Sequence, residues 1–441
     1  MSYRDPKHNE GIQPLIFKLV ANQRALLDAL AALPQNGTNV PVFPALDAIF
    51  PVTLADTASI DAFDRLRVSN PVGLFESTLT YDKQPLLWDE QLVGTGTSTY
   101  LPGESAAAMA VAATGDAVIR QTRDFFRYQP GKSQFILMTF SFGQGDPNVR
   151  RRIGYFDANN GLFLEEQNGQ LWMVRRTNVS GVPQDIRIAQ ADWNQDKFDF
   201  LDPTKAQILA IDLEWLGVGR VRMGFVIDGL LRYAHHFNNA NNLASVYMST
   251  AQLPLRIETV AVGAPSAPTT MKAICGAVIS EGGQEENVGF PFAVRNPTVK
   301  TVNVGLTPLL SIRPKATYGG QINRVQVIHR ELEVFNAGNN PIVVDVWYNG
   351  TLTGAAFASA DPSSVMEFDV AATAIAGGIR VMSTFIPSTA QSKTSERTGI
   401  TGRLPIALDI DGLNPRGLTI TAQQASGAAT AWATMHWQEY R

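Results

Sequence analysis

The stretch RVRMGFVIDGLLRYAHHFNN, Arg220 to Asn239, separates a catalytic reading of this chain from a structural one. Val221, Met223, Phe225 and Ile227 alternate with Arg220, Arg222, Gly224 and Asp228, the period of a half-buried strand. Asp228-Gly229 tolerates positive φ and predicts a hairpin turn. The return strand carries Leu231, Tyr233, His235 and Phe237 on one face. Aligning that set with Val221 to Ile227 calls for a loop with an odd number of residues, because a two-residue loop would set Arg232 against Phe225. His235 and His236 project to opposite faces of such a strand and cannot share one metal without a bulge. They read as one partly buried, hydrogen-bonded imidazole and one exposed imidazole.

The 441 residues are too many for one simple core, so two or three domains are expected. Charged residues make up 17%, below the globular share of about a quarter, and 36 glycines and 25 prolines interrupt the chain often. With regular alternation, that composition predicts an all-β fold. A net charge of −4 lacks the basic footprint of a nucleic-acid binder. No apolar run reaches the ~20 residues of a membrane span, and the polar start MSYRDPKHNE is not a signal peptide. The single cysteine, Cys275, shares a strand face with Met271, Ala273, Ala277 and Ile279 and reads as a buried structural thiol. Assembly in a reducing cytoplasm follows.

Residues 11–33 predict a helix. Ile12, Ile16, Leu19, Gln23, Leu26, Leu30 and Leu33 repeat at 4-3 spacing, an oligomerisation seam with one polar member. Leu15, Val20 and Leu27 widen the apolar surface beyond a two-helix stripe, which favours a trimer, although a dimer fits the same seam. Pro34, Pro41, Pro44 and Pro51 then stop any helix. The arm up to residue 60 is too apolar for a solvated spacer, and Val42, Phe43, Leu46, Ile49 and Phe50 are its candidate anchoring residues.

Residues 61–289 read as one antiparallel β-sandwich, lectin-like or jelly-roll, and 290–441 as a second. In the first, Asn160-Gly161 and Asn168-Gly169 punctuate a three-strand meander. QILAIDLEWLG places Leu209, Ile211, Leu213 and Trp215 inward, with Ala210, Asp212 and Glu214 outward. In the second, PSTAQSKTSERTG is expected to be an exposed loop.

Asp212 and Glu214 put two carboxylates on one strand face, a pattern glycosidases use. A solvated outer face paired with Arg220 and Arg222 is the favoured reading, because alternating sheets expose carboxylates routinely. Asp157, Glu165 and Glu166 lie beside Asn-Gly turns and read the same way. No serine elbow, phosphate-cradling loop or zinc spacing occurs, so no catalytic residue, metal or cofactor is expected. Trp172, Trp193 and Trp432 are the candidate glycan-stacking aromatics, set against the commoner case of core tryptophans.

IDAFDRLRVSNPVGLFES (60–77), RRIGYFDANNGLFLEEQNGQLWMVRRTNVSG (151–181), IDLEWLGVGRVRMGFVIDG (211–229), HHFNNAN (235–241) and VYMSTAQLPLRIE (246–258) resemble a group of tailed-phage virion proteins. The first sandwich also resembles laminin-G-like lectin modules, in fold only. The phage resemblance implies a structural component of the virion, assembled in the host cytoplasm: a fibre, spike or head decoration. Its partners would be itself, as a homotrimer, and capsid, neck or tail proteins, with a host-surface glycan as a further candidate for host attachment. Nucleic-acid binding and membrane insertion are not expected.

Overall fold

The computed structural model of the chain describes residues 70–285, 288–400, 402 and 404–441. The predicted helix, its seam residues and the anchoring arm all lie outside the described residues. Those described are strands and turns, with a single 3-10 turn at Gln190–Asp192. The described residues are all-β, as their alternation predicts, and residues from 70 onward pack as one compact unit.

Two antiparallel sheets enclose a first core. One runs, in hydrogen-bonded order, Leu230–Phe237, Val221–Ile227, Gln207–Leu213, Gln134–Ser141, Thr269–Ser280, Ala106–Val111 and Thr97–Leu101, with Val72–Thr78 also paired to Thr269–Ser280. The other runs Gln184–Ala189, Gln170–Thr177, Gly161–Gln167, Val149–Phe156, Leu255–Ala261, Ala117–Thr122 and Trp88–Val93. Alternate residues meet between them: Ile136, Met138 and Phe140 from the first, Ile153, Tyr155, Leu162 and Leu164 from the second. A second pair of sheets spans Phe290 to Tyr440 and closes a separate core around Leu310, Ile312, Val344, Ile420, Met435 and Trp437. Thr394–Thr398, expected as loop, is an edge strand on Gln326–Asn336. Its polar side chains suit a strand with one open edge and leave no apolar period to read.

The Arg220 hairpin departs from its predicted register. Asp228 and Gly229 form a two-residue turn, at φ 52° and 77°, and Phe225 does face Arg232. Arg232 is accommodated because its guanidinium lies over the Phe198 and Phe200 rings, at 5.1 and 5.5 Å, and pairs with Asp196. A bulge opposite Met223 and Gly224 then inserts Ala234 and returns His235 to the inner face beside Met223. A second bulge, at Ile274, turns Cys275 from the inner to the outer face. There it is half-buried, with Sγ 3.0 Å from Thr139 Oγ1, which corrects the buried-thiol expectation.

Charged and stacked contacts join the two pairs of sheets. Arg416 Nη2 donates to both oxygens of Asp89 at 2.7 Å, and Arg123 pairs with the same carboxylate at 3.1 Å. The Arg324 guanidinium lies 4.5 Å over the Phe125 ring, and Arg127 lies 4.9 Å over Tyr440.

Candidate functional site

Asp212 lies on the outer face of the first sheet but is not solvated there: the residue is 4% exposed. It accepts hydrogen bonds from Ser133 Oγ at 2.6 Å and Tyr233 O–H at 2.9 Å, and it pairs with Arg222. Burial first, and then the Asp212 charge, push the Tyr233 hydroxyl's pKa up. The same two causes raise Glu281. Glu214 is exposed, past the end of the strand that carries Asp212. The carboxylates that share a face in the sequence therefore occupy different environments.

Glu165 and Glu258 stand in one row of the second sheet, with Arg152 between them. Arg152 Nε lies 2.6 Å from Glu165 and Nη1 lies 3.5 Å from Glu258. Arg187 also pairs with Glu165, and Arg256 Nε with Glu258 at 2.6 Å. Burial alone would raise the Glu258 pKa, but Arg256 and Arg152 outweigh it and hold the carboxyl below its ordinary range. On the opposite face of this sheet, Arg151 and Glu166 form a fully buried pair at 2.5 Å.

A cleft of about 970 Å³ lies between the two sandwiches. Gln91, Gln121, Asn159, Asn178 and Gln252 line its first wall, and Tyr318, Gln321, Asn323 and Arg324 its second. The buried Asn160 side chain joins three loops of the first wall. It accepts from the Asn178 N–H at 3.2 Å and the Ser249 N–H at 3.0 Å, and its Nδ2 donates to Ser249 Oγ at 2.9 Å. Arg324 fixes the second wall by donating to the carbonyls of Asp409 and Ile410 at 2.6 and 2.7 Å. These residues lie far apart in sequence, and no local pattern signals that they meet.

The tryptophans divide. Trp193 is 1% exposed, against Phe198 and Phe225, with Nε1 donating to the Ile188 carbonyl at 3.1 Å, so it is a core residue and not a ligand platform. Trp172 is half-buried beneath Arg187, whose guanidinium lies 4.3 Å over its ring. Trp432 is half-buried on the outer face of Ala429–Tyr440, and Trp437 lies in the core. The three candidates share no site. Among the described residues no three His, Cys, Asp or Glu side chains gather as a metal site, and no helix is long and apolar enough to cross a membrane.

His235 is buried and His236 half-buried, on opposite faces as adjacent strand residues must be. His235 Nδ1 and His236 Nε2 have no hydrogen-bond partner, which corrects the expected pairing. Burial, then the neighbouring His236 and Lys197, lower the His235 pKa to about 4. Below an unfolded value near 6.5 the unfolded chain takes up a proton that folded His235 refuses. Stability should therefore fall as pH drops from about 6.5 and level off near 4. His235→Phe should flatten that interval in melting temperatures recorded against pH.

No family model matches the sequence, and no curated protein matches it. Solved structures resemble about half of it. A protein of unknown function from Shewanella oneidensis MR-1 is 9% identical, with 50% of this chain and 91% of that one covered and a TM-score of 0.34. The CBM2 module of the evolved Dit of Lactobacillus casei BL23 phage J-1 is 8% identical, with 50% and 100% covered and a TM-score of 0.34. A glycosyl hydrolase family 16 protein from Mycobacterium smegmatis is 11% identical, with 47% and 100% covered and a TM-score of 0.34.

Proposed function

We propose that this chain is a non-enzymatic structural protein of a phage virion, a homotrimeric fibre, spike or decoration held to capsid, neck or tail by its N-terminal segment. The observation that carries the non-enzymatic part is the state of the carboxylates. Asp212 is held by Ser133, Tyr233 and Arg222, and Arg152 stands between Glu165 and Glu258. A glycosidase needs one carboxyl kept protonated and a second free to attack or to activate water. Arginines hold Asp212, Glu165 and Glu258, as in a scaffold, and the exposed Glu214 stands apart from the raised Glu281. The phage resemblance supports the virion role, and the apolar seam supports the trimer.

The test is solution mass by light scattering, for the full chain beside one beginning at Asp61. A trimer that becomes a monomer on truncation is the expected result. Equal masses would remove the helix and arm from oligomerisation. Degradation of any polysaccharide by the full chain would overturn the non-enzymatic part.

A second reading, a carbohydrate-binding module for host attachment, is favoured by the inter-sandwich cleft. Planar amides on pre-set loops are suited to sugar hydroxyls, each of which both donates and accepts.

A further inference from the structure

We infer that the cleft between the two sandwiches binds a neutral oligosaccharide, edge-on against its amides and through C–H faces against its aliphatic wall. The inference rests on the carbohydrate-binding reading and specifies its site and ligand class. Three observations lead to it.

The first is how the lining charges are used. Arg256 donates to Glu258 at 2.6 Å and to Gln121 at 2.7 Å. Arg324 is spent on two carbonyls and on the Phe125 ring. Arg441 donates to the Tyr318 hydroxyl at 3.0 Å and to Glu439 at 2.7 Å. Asp157 accepts from Asn159 and Asn160 of its own turn, and Asp411 accepts from Gln91. Arg256 and Arg441 face carboxylates, while Arg324, Asp157 and Asp411 are held by neutral groups, so the cleft carries no single dominant charge that would select an anionic or cationic ligand.

The second is what remains. Asn159, Gln252 and Gln321 supply amide groups to the lining, Gln91 adds its side-chain carbonyl, and Val179, Val246, Ile322 and Ile410 supply apolar contact. Val179 and Ile322 are 42% and 45% exposed, one on each wall. That mixture fits a polyol ring, whose edge is polar and whose faces are C–H. It suits a nucleotide or an extended apolar ligand poorly.

The third is size and rigidity. A volume of about 970 Å³ stands at the upper end of the range for small-ligand sites, roughly 300–1,000 Å³, and admits several sugar rings. Asn160 on one side and Arg324 on the other hold the walls before any ligand arrives, which lowers the ordering cost of binding.

The experiment uses the full chain with labelled isoleucine and valine methyl groups, titrated to millimolar concentrations with maltohexaose, cellohexaose, chitohexaose and mannohexaose, and with a hyaluronan hexasaccharide as the charged comparator. The expected result is that at least one neutral hexaose shifts the methyl signals of Val179, Val246, Ile322 and Ile410. Gln252→Ala and Gln321→Ala, one on each wall, should each weaken that binding by about three- to tenfold, the loss of one hydrogen bond. Asn159→Trp should block it. Shifts confined to methyl groups outside the cleft would overturn the site and leave the carbohydrate-binding reading standing. Binding of hyaluronan alone would overturn the neutral class. No shift with any of the sugars would overturn both the inference and the reading beneath it.

Discussion

Arg152→Ala is expected to destabilise the folded chain by about 3–5 kcal/mol, the usual cost of leaving a buried charge without its partner. The side chain is 8% exposed, and those of Glu165 and Glu258 are 1% and 8%. Removing the guanidinium takes a partner from Glu165, Glu258 and Asp185 in a low-dielectric row, where Arg187, Arg256 and Arg176 compensate only in part. Urea unfolding at pH 7, followed by circular dichroism, measures the loss. The pH dependence gives a second check. Glu258 is held below its ordinary pKa in the folded state, so its contribution is present above the unfolded value and is lost as pH falls through the folded one. The gap between wild type and Arg152→Ala should therefore narrow on acidification. Arg152→Lys should recover only part of the loss, because an ammonium cannot reach two carboxylates as a planar fork does. A change below about 1 kcal/mol would mean that the row is solvated and that its carboxylates are free for other chemistry.

Trp193→Ala is expected to cost a similar amount, about 3–5 kcal/mol, by opening a cavity in the first core. The indole packs against Phe198 and Phe225, with ring centroids 6.5 and 6.1 Å away, and donates to the Ile188 carbonyl. A stacking platform for sugar would behave in the opposite way, with stability nearly unchanged and affinity lost. Thermal unfolding of Trp193→Ala, set beside its sugar titration in the folded state, separates the two roles. A small change in melting temperature would return Trp193 to the surface.

Much of the architecture was legible in particular residues. The alternation of Val221 to Ile227, the inward set Leu209, Ile211 and Leu213, and the Asn168-Gly169 turn gave strands and a hairpin that the structure contains. Local φ preferences and the two-residue period act within a few residues, so a short window of sequence records them. The register of the Arg220 hairpin was not legible. Arg232 opposite Phe225 reads as an error until Phe198 and Phe200, more than thirty residues earlier, are seen beneath its guanidinium. The same holds for Cys275, whose face is reversed by one extra residue at Ile274.

The candidate site was almost wholly illegible. Trp193 carries the same local signature as a surface aromatic, and only the packing of a distant strand buries it. Asp212 and Glu214 share a face by spacing, yet burial, Tyr233 and Arg222 set one apart from the other. The sequence by itself determined the all-β class, the turns, the opposite facing of His235 and His236 and the acidic balance, because each depends on neighbouring residues or on composition. Only the tertiary structure decided the bulges, the arginine–carboxylate row and the cleft walled by residues from Gln91 to Arg441. Those depend on which distant segments meet, and on desolvation at the point of contact.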